Sequence, residues 1–217
     1  EIRSPEFRAR KQATYLALGL KKVAAAPADP NAHAELADQY ADMGDYVNAA
    51  RSYREALRLR PDHTPWLAHL GGVLFLLGKT SEAEQALALA VRQTPDLVGA
   101  WRNLAAVRSG QGDWEGAVRC LESAVAASTA PAGLLGNLAL ALESCGRLEE
   151  AADAARRSLE ACSVAGATAS RYAGLMRRLG RADEARAFLE ALAARSGIVQ
   201  LLYYLDEGFP PTGTGTR

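Results

Sequence analysis

Gly78-Lys79-Thr80 carries the closing residues of a phosphate-binding loop, in which backbone N–H groups wrap a phosphate and a lysine reaches its oxygens. That chemistry needs four residues between the glycines, whereas Gly72 and Gly78 enclose five, VLFLL, and the segment before them reads as helix rather than strand. Gly78 is better explained as a turn residue. His33, His63 and His69 have no cysteine or carboxylate at a metal-ligand spacing, so they read as packed or solvent-facing imidazoles. Cys120, Cys145 and Cys162 form neither a CxxC pair nor an even framework and read as incidental thiols of a reducing, cytoplasmic setting. No Gly-x-Ser-x-Gly elbow, His-Glu-x-x-His helix or Gly-x-Gly-x-x-Gly fingerprint appears. The expectation is a protein that is not an enzyme and needs no cofactor or metal.

Trp66, Trp101, Trp114 and Tyr46 could stack on nucleic-acid bases, but 25 Lys and Arg against 25 Asp and Glu leave no basic field to recruit a phosphate backbone. No nucleic-acid partner is expected. No apolar run approaches the roughly 18 residues of a membrane span, so no membrane insertion is expected either. Alanine and leucine dominate, and aromatics are 6% of the chain, a composition suited to helices.

The residues that could act must therefore be positioned by helices, and these recur. Glycines fall at 44, 78, 112, 146 and 180, always 34 residues apart. Five residues after each stands Ala49, Ala83, Ala117, Ala151 or Ala185. Eight residues before each stands Leu36, Leu70, Leu104, Leu138 or Tyr172, followed by Ala37, Gly71, Ala105, Ala139 or Ala173. Glycine can take the left-handed conformation that ends a helix, the small columns let two helix backbones approach, and the large column fills the seam. Pro61 and Pro95 stop the second helix of a pair. Before the repeats, Leu16, Leu20 and Val23 mark a helix over 8–26. After them, Ile198, Leu201, Leu202 and Leu205 mark a short capping helix. Residues 1–7, EIRSPEF, read as a translated linker, and GFPPTGTGTR as a tail, so the chain is expected to be a fragment.

This pattern resembles the tetratricopeptide repeat. The resemblance implies an all-α, right-handed superhelical solenoid of about five helix-turn-helix repeats at 30–63, 64–97, 98–131, 132–165 and 166–199. Residues 1–29 would hold the N-terminal capping helix, 200–207 the C-terminal one, and 208–217 the tail. In that family the first helix of each repeat lines a concave groove, chiefly through positions 2, 5, 6, 9, 12 and 13. Carried onto this sequence, the groove's candidate residues are Arg102, Asn103, Asn137, Arg171, His69, Phe75 and Leu140. Asn103 and Asn137 share position 6 one repeat apart, where amides could pair with an extended peptide backbone. Phe75, Leu76 and Leu140 could form apolar pockets. Glu35, Asp38 and Asp42 lie in the first repeat, whereas Arg102, Arg171, Arg177 and Arg178 lie in the later ones and could orient a partly acidic segment.

Repeats that clamp chaperone C-terminal carboxylates use Lys and Asn, then Asn, then Lys and Arg; here those positions hold Arg102 and Ala106, Asn137, Ala167 and Arg171, too few to keep a bidentate hold. The resulting expectation is a non-catalytic adaptor or scaffold that binds a peptide or helix of another protein. The alternatives are a substrate-presenting region of a larger enzyme such as a glycosyltransferase, and a scaffold that assembles into homo-oligomers.

Overall fold

A computed structural model describes residues 5–161 and 166–197. The expected capping helix after Ile198, the tail and Cys162 lie outside the described residues. Among the described residues every regular element is an α-helix, and the chain forms two compact units that divide between Val107 and Arg108.

The first unit contains α1 (Pro5–Ala25), α2 (Pro30–Asp42), α3 (Tyr46–Leu59), α4 (Thr64–Leu76), α5 (Thr80–Gln93) and most of α6 (Val98–Gly110), which crosses the division. The second contains α7 (Trp114–Ala127), α8 (Ala132–Ser144), α9 (Leu148–Ala161), α10 (Gly166–Arg178) and α11 (Ala182–Ser196). Within the first unit α2 packs on α3, α3 on α4, and α4 on α5; within the second α7 packs on α8, α8 on α9, α9 on α10, and α10 on α11. Each unit is thus a run of helix-turn-helix pairs.

One turn design joins the pairs. Gly44, Gly78, Gly112, Gly146 and Gly180 all have φ between 71° and 79°, where a Cβ would crowd the carbonyl. The residue after each glycine then bonds back across the helix end: Asp45 N–H donates to Tyr40 O at 2.9 Å, Lys79 to Leu74 at 2.9 Å, Asp113 to Arg108 at 2.9 Å, Arg147 to Leu142 at 3.0 Å and Arg181 to Met176 at 2.8 Å. This closes carbonyls that the helix cannot satisfy itself. The next helix then starts on a cap where the sequence supplies one: Asp45 Oδ1 accepts from Asn48 N–H at 3.1 Å, and Asp113 Oδ1 from Gly116 N–H at 2.9 Å. Ala49, Ala83, Ala117, Ala151 and Ala185 are each 0% exposed, as small residues of the packed face. Gly71 goes further, because a Cβ there would lie 2.5 Å from Leu87 Cγ.

The α1 helix runs slightly earlier than its leucines suggest, and it docks differently. Leu20 is exposed, while Gly19 is buried against Leu36 and Gln39 of α2, with Leu16 and Val23 half-buried beside it. The contact face is therefore 16, 19 and 23, since a glycine lets α2 approach more closely than a leucine would.

Candidate functional site

The first-helix face of the first unit contains a cavity of about 430 Å³ lined by Ala41 of α2, by His69, Gly72, Val73, Phe75 and Leu76 of α4, by Asn103 and Ala106 of α6, and at its base by Tyr53 of α3. Three of the sequence candidates, His69, Phe75 and Asn103, meet here. Its walls are mostly apolar, and Leu76 is 59% exposed. Asn103 reaches over α4: its Nδ2 donates to the Ala68 carbonyl at 3.3 Å, and a Cβ on Gly72 would come within 3.0 Å of that nitrogen. Gly72 thus makes room for the amide, leaving its Oδ1 and one N–H for a ligand.

The polar floor of this cavity is a network that sequence reading missed. The Tyr53 hydroxyl donates to Asp38 Oδ1 and also lies 3.2 Å from His69 Nδ1, which is 3.6 Å from the same carboxylate oxygen. A phenol has one hydrogen; given to Asp38, it leaves His69 Nδ1–H as the donor to the phenol oxygen. The His69 and Tyr53 rings meet edge-on at 5.7 Å. Burial pushes the Asp38 carboxyl up, but the nearby His69 ring and the hydrogen bond from Tyr53 outweigh it and hold the group below its usual range. Burial, then the Asp38 hydrogen bond and charge, then the Asp42 charge, push the Tyr53 phenol up, so it stays a neutral donor. The signal was present in the sequence: Tyr53 occupies the column that holds Leu87, Leu121, Ala155 and Leu189 in the other repeats, and a buried hydroxyl in an apolar column needs a partner.

The second unit has its own first-helix cavity, about 280 Å³, lined by Gly133, Gly136, Asn137 and Leu140 of α8, by Ala167, Thr168 and Arg171 of α10, and by Ala132 and Ser158. It gathers three more candidates: Asn137, Leu140 and Arg171. Ser158 Oγ donates to the Ala132 carbonyl at 2.7 Å, which satisfies a hydroxyl in an otherwise apolar column. Arg171 is not a free cation. Glu143 pairs with it and, through its other oxygen at 2.7 Å, with Arg178 Nη1. Glu143 lies in the groove column one repeat before Arg177, a neighbour that a search for basic residues passes over. Arg102, the remaining candidate, is exposed on α6 and lines neither cavity.

The other chemistry-bearing residues have structural partners. His33 Nε2 contacts Pro27 O at 2.9 Å, and His63 Nδ1 accepts from Trp66 N–H at 3.4 Å at the start of α4. Trp66 is buried, stacked on His63 with centroids 3.7 Å apart and with the Arg60 guanidinium 5.3 Å from its ring, so no face is open to a base. Trp101 Nε1 donates to Pro95 O at 2.7 Å. Lys79 Nζ lies 3.1 Å from Glu82 Oε1 beside the Gly78 turn, not on a phosphate loop. Burial and then Glu115 push the Cys145 thiol up, away from nucleophilic thiolate. Among the described residues there is no cluster of three His, Cys, Asp or Glu able to hold a metal, and no helix long and apolar enough to cross a membrane.

Two tetratricopeptide repeat profiles match the sequence, at residues 40–107 and 102–165, together more than half of the chain. The chain belongs to the tetratricopeptide repeat family. Repeats of this family form protein-interaction scaffolds, and the all-α helical repeat observed here is their fold. No curated protein matches the sequence. Solved structures with a similar fold include MamA from Desulfovibrio magneticus RS-1, at 19% identity over 76% of this chain and 93% of that one, TM-score 0.66. Pseudomonas aeruginosa pilF is similar at 17% identity over 92% and 98%, TM-score 0.68. YrrB, described as a repeat protein of this family with an unusual peptide-binding site, is similar at 15% identity over 87% and 97%, TM-score 0.64.

Proposed function

We propose that this repeat protein is a non-catalytic scaffold that holds a peptide or helix of a partner protein on its first-helix faces. The principal acceptor is the cavity bordered by His69, Phe75 and Asn103; the cavity at Asn137, Leu140 and Arg171 is a second. The observation that carries this reading is the roughly 430 Å³ apolar hollow with Leu76 exposed beside it. Pockets of this size, mostly apolar with a few convergent polar groups, are the usual form of a recognition site. Asn103 supplies an acceptor and a donor at the rim for a ligand backbone, and YrrB, with its peptide-binding site, is a precedent on the same fold.

The test is selection of a displayed random 12-residue peptide library on the full chain and on Ala106→Phe, which fills the cavity from its solvent side. Peptides recovered from the wild type and lost on a variant with unchanged circular dichroism support the reading. Equal recovery from both overturns it.

A further inference from the structure

We infer that the first cavity selects a partner segment in which a large apolar side chain is accompanied, within about one helical turn, by a lysine or arginine held by Asp38 and Asp42. The inference rests on the groove reading above and adds the partner's chemistry to it.

The apolar half of the recognition follows from the walls. Val73, Phe75, Leu76, Ala41 and Ala106 offer no charged group to an entering side chain, and covering Leu76 removes apolar surface from water. The cavity is large enough for a leucine, methionine or phenylalanine with some adjoining backbone.

The cationic half follows from charge. Asp38 and Asp42 are one turn apart on α2, so they share a face and repel each other. Asp38 meets the cavity floor through its bond from the Tyr53 hydroxyl, and Asp42 stands one turn further along the same face, adjoining the lining residue Ala41 in the chain. Asp38 is held ionised by the Tyr53 hydroxyl and the nearby His69 ring, yet its side chain remains 57% exposed. Neighbouring Glu35 is already paired with Lys22 at 2.6 Å, whereas among the described residues neither Asp38 nor Asp42 is paired with a lysine or arginine. A ligand cation would relieve the repulsion and complement the exposed carboxylates. The second cavity is arranged differently, since its Arg171 is already paired with Glu143.

The same 12-residue library separates the two levels of the argument. On the wild type, recovered peptides are expected to combine Leu, Met or Phe with Lys or Arg within four positions. On Asp42→Asn, which loses a charge without losing a hydrogen bond seen in the structure, and on Asp38→Asn/Asp42→Asn, the apolar anchor is expected to persist while basic enrichment falls. A recovered basic peptide should bind these variants about two- to fivefold more weakly, the scale of exposed charge pairs, and the difference should shrink with added salt. Recovery that is sensitive to Ala106→Phe but shows no basic preference, or whose basic preference survives both aspartate variants, overturns this inference and leaves the groove reading standing. Recovery indifferent to Ala106→Phe overturns the groove reading itself.

Discussion

The two cavities occupy the same first-helix faces of their repeats and differ in what happens to their charges. In the first, Tyr53 and His69 brace Asp38, which stays ionised and exposed. In the second, Glu143 pairs with both Arg171 and Arg178, so both cations are already engaged within the fold. The difference arises from single residues in otherwise shared columns: a tyrosine where other repeats carry leucine or alanine, and a glutamate among basic neighbours. A groove's charge is therefore not the sum of its charged residues. It depends on which of them already have partners.

If the two cavities stand on equivalent packing, removing that packing should affect both units alike. Leu87 and Leu189, one in each unit and both 0% exposed, share a repeat column. Replacing either by alanine should cost about 2–5 kcal/mol in denaturant unfolding, and a loss confined to one unit would break the equivalence. The turns make a similar test. Gly78→Ala and Gly146→Ala force a side chain into positive φ and should each cost about 1–2 kcal/mol, read as a lowered melting temperature.

The polar contrast is sharpened by Tyr53→Phe, which removes the hydroxyl that braces Asp38 and should cost about 0.5–1.5 kcal/mol near neutral pH. The pH dependence has a definite sign. A carboxylate held below its ordinary value of 3.8 contributes stability above that value and loses it as pH falls through the lowered folded-state value. The gap between wild type and Tyr53→Phe should therefore narrow as thermal melts are carried from neutral to acid pH. A gap that is constant with pH would mean that the phenol does not brace the carboxylate. Smallest is Glu143→Gln, which frees Arg171 and Arg178 at an effect below about 1 kcal/mol on stability. The variant should gain affinity, by up to about fivefold, for an acidic 12-residue peptide; no gain would mean that Glu143 is not what quenches the second cavity.

Much of this was legible in the residues. The 34-residue glycine column marks where each helix must end, because only a residue without Cβ takes the left-handed conformation cheaply, and all five glycines do so. The alanine column marks a face that must pack, and all five alanines are fully buried. The groove columns brought His69 and Asn103 to one cavity and Asn137 and Arg171 to another. What the columns did not reveal was partnership. Asn103 and Asn137 look equivalent in sequence, yet Asn103 is tied to the Ala68 carbonyl across Gly72. Arg171 looks like an anion site, yet Glu143, 28 residues earlier, meets it.

Sequence by itself determined the helix-turn-helix period and the faces that pack, because these depend on local backbone conformation and on side-chain size repeated at a fixed spacing. Only the tertiary structure decided which charges remain available, because hydrogen bonds and ion pairs between repeats join residues far apart in the chain through distances of a few ångströms. A one-residue change in a column, Tyr53 for leucine, alters that outcome without disturbing the pattern.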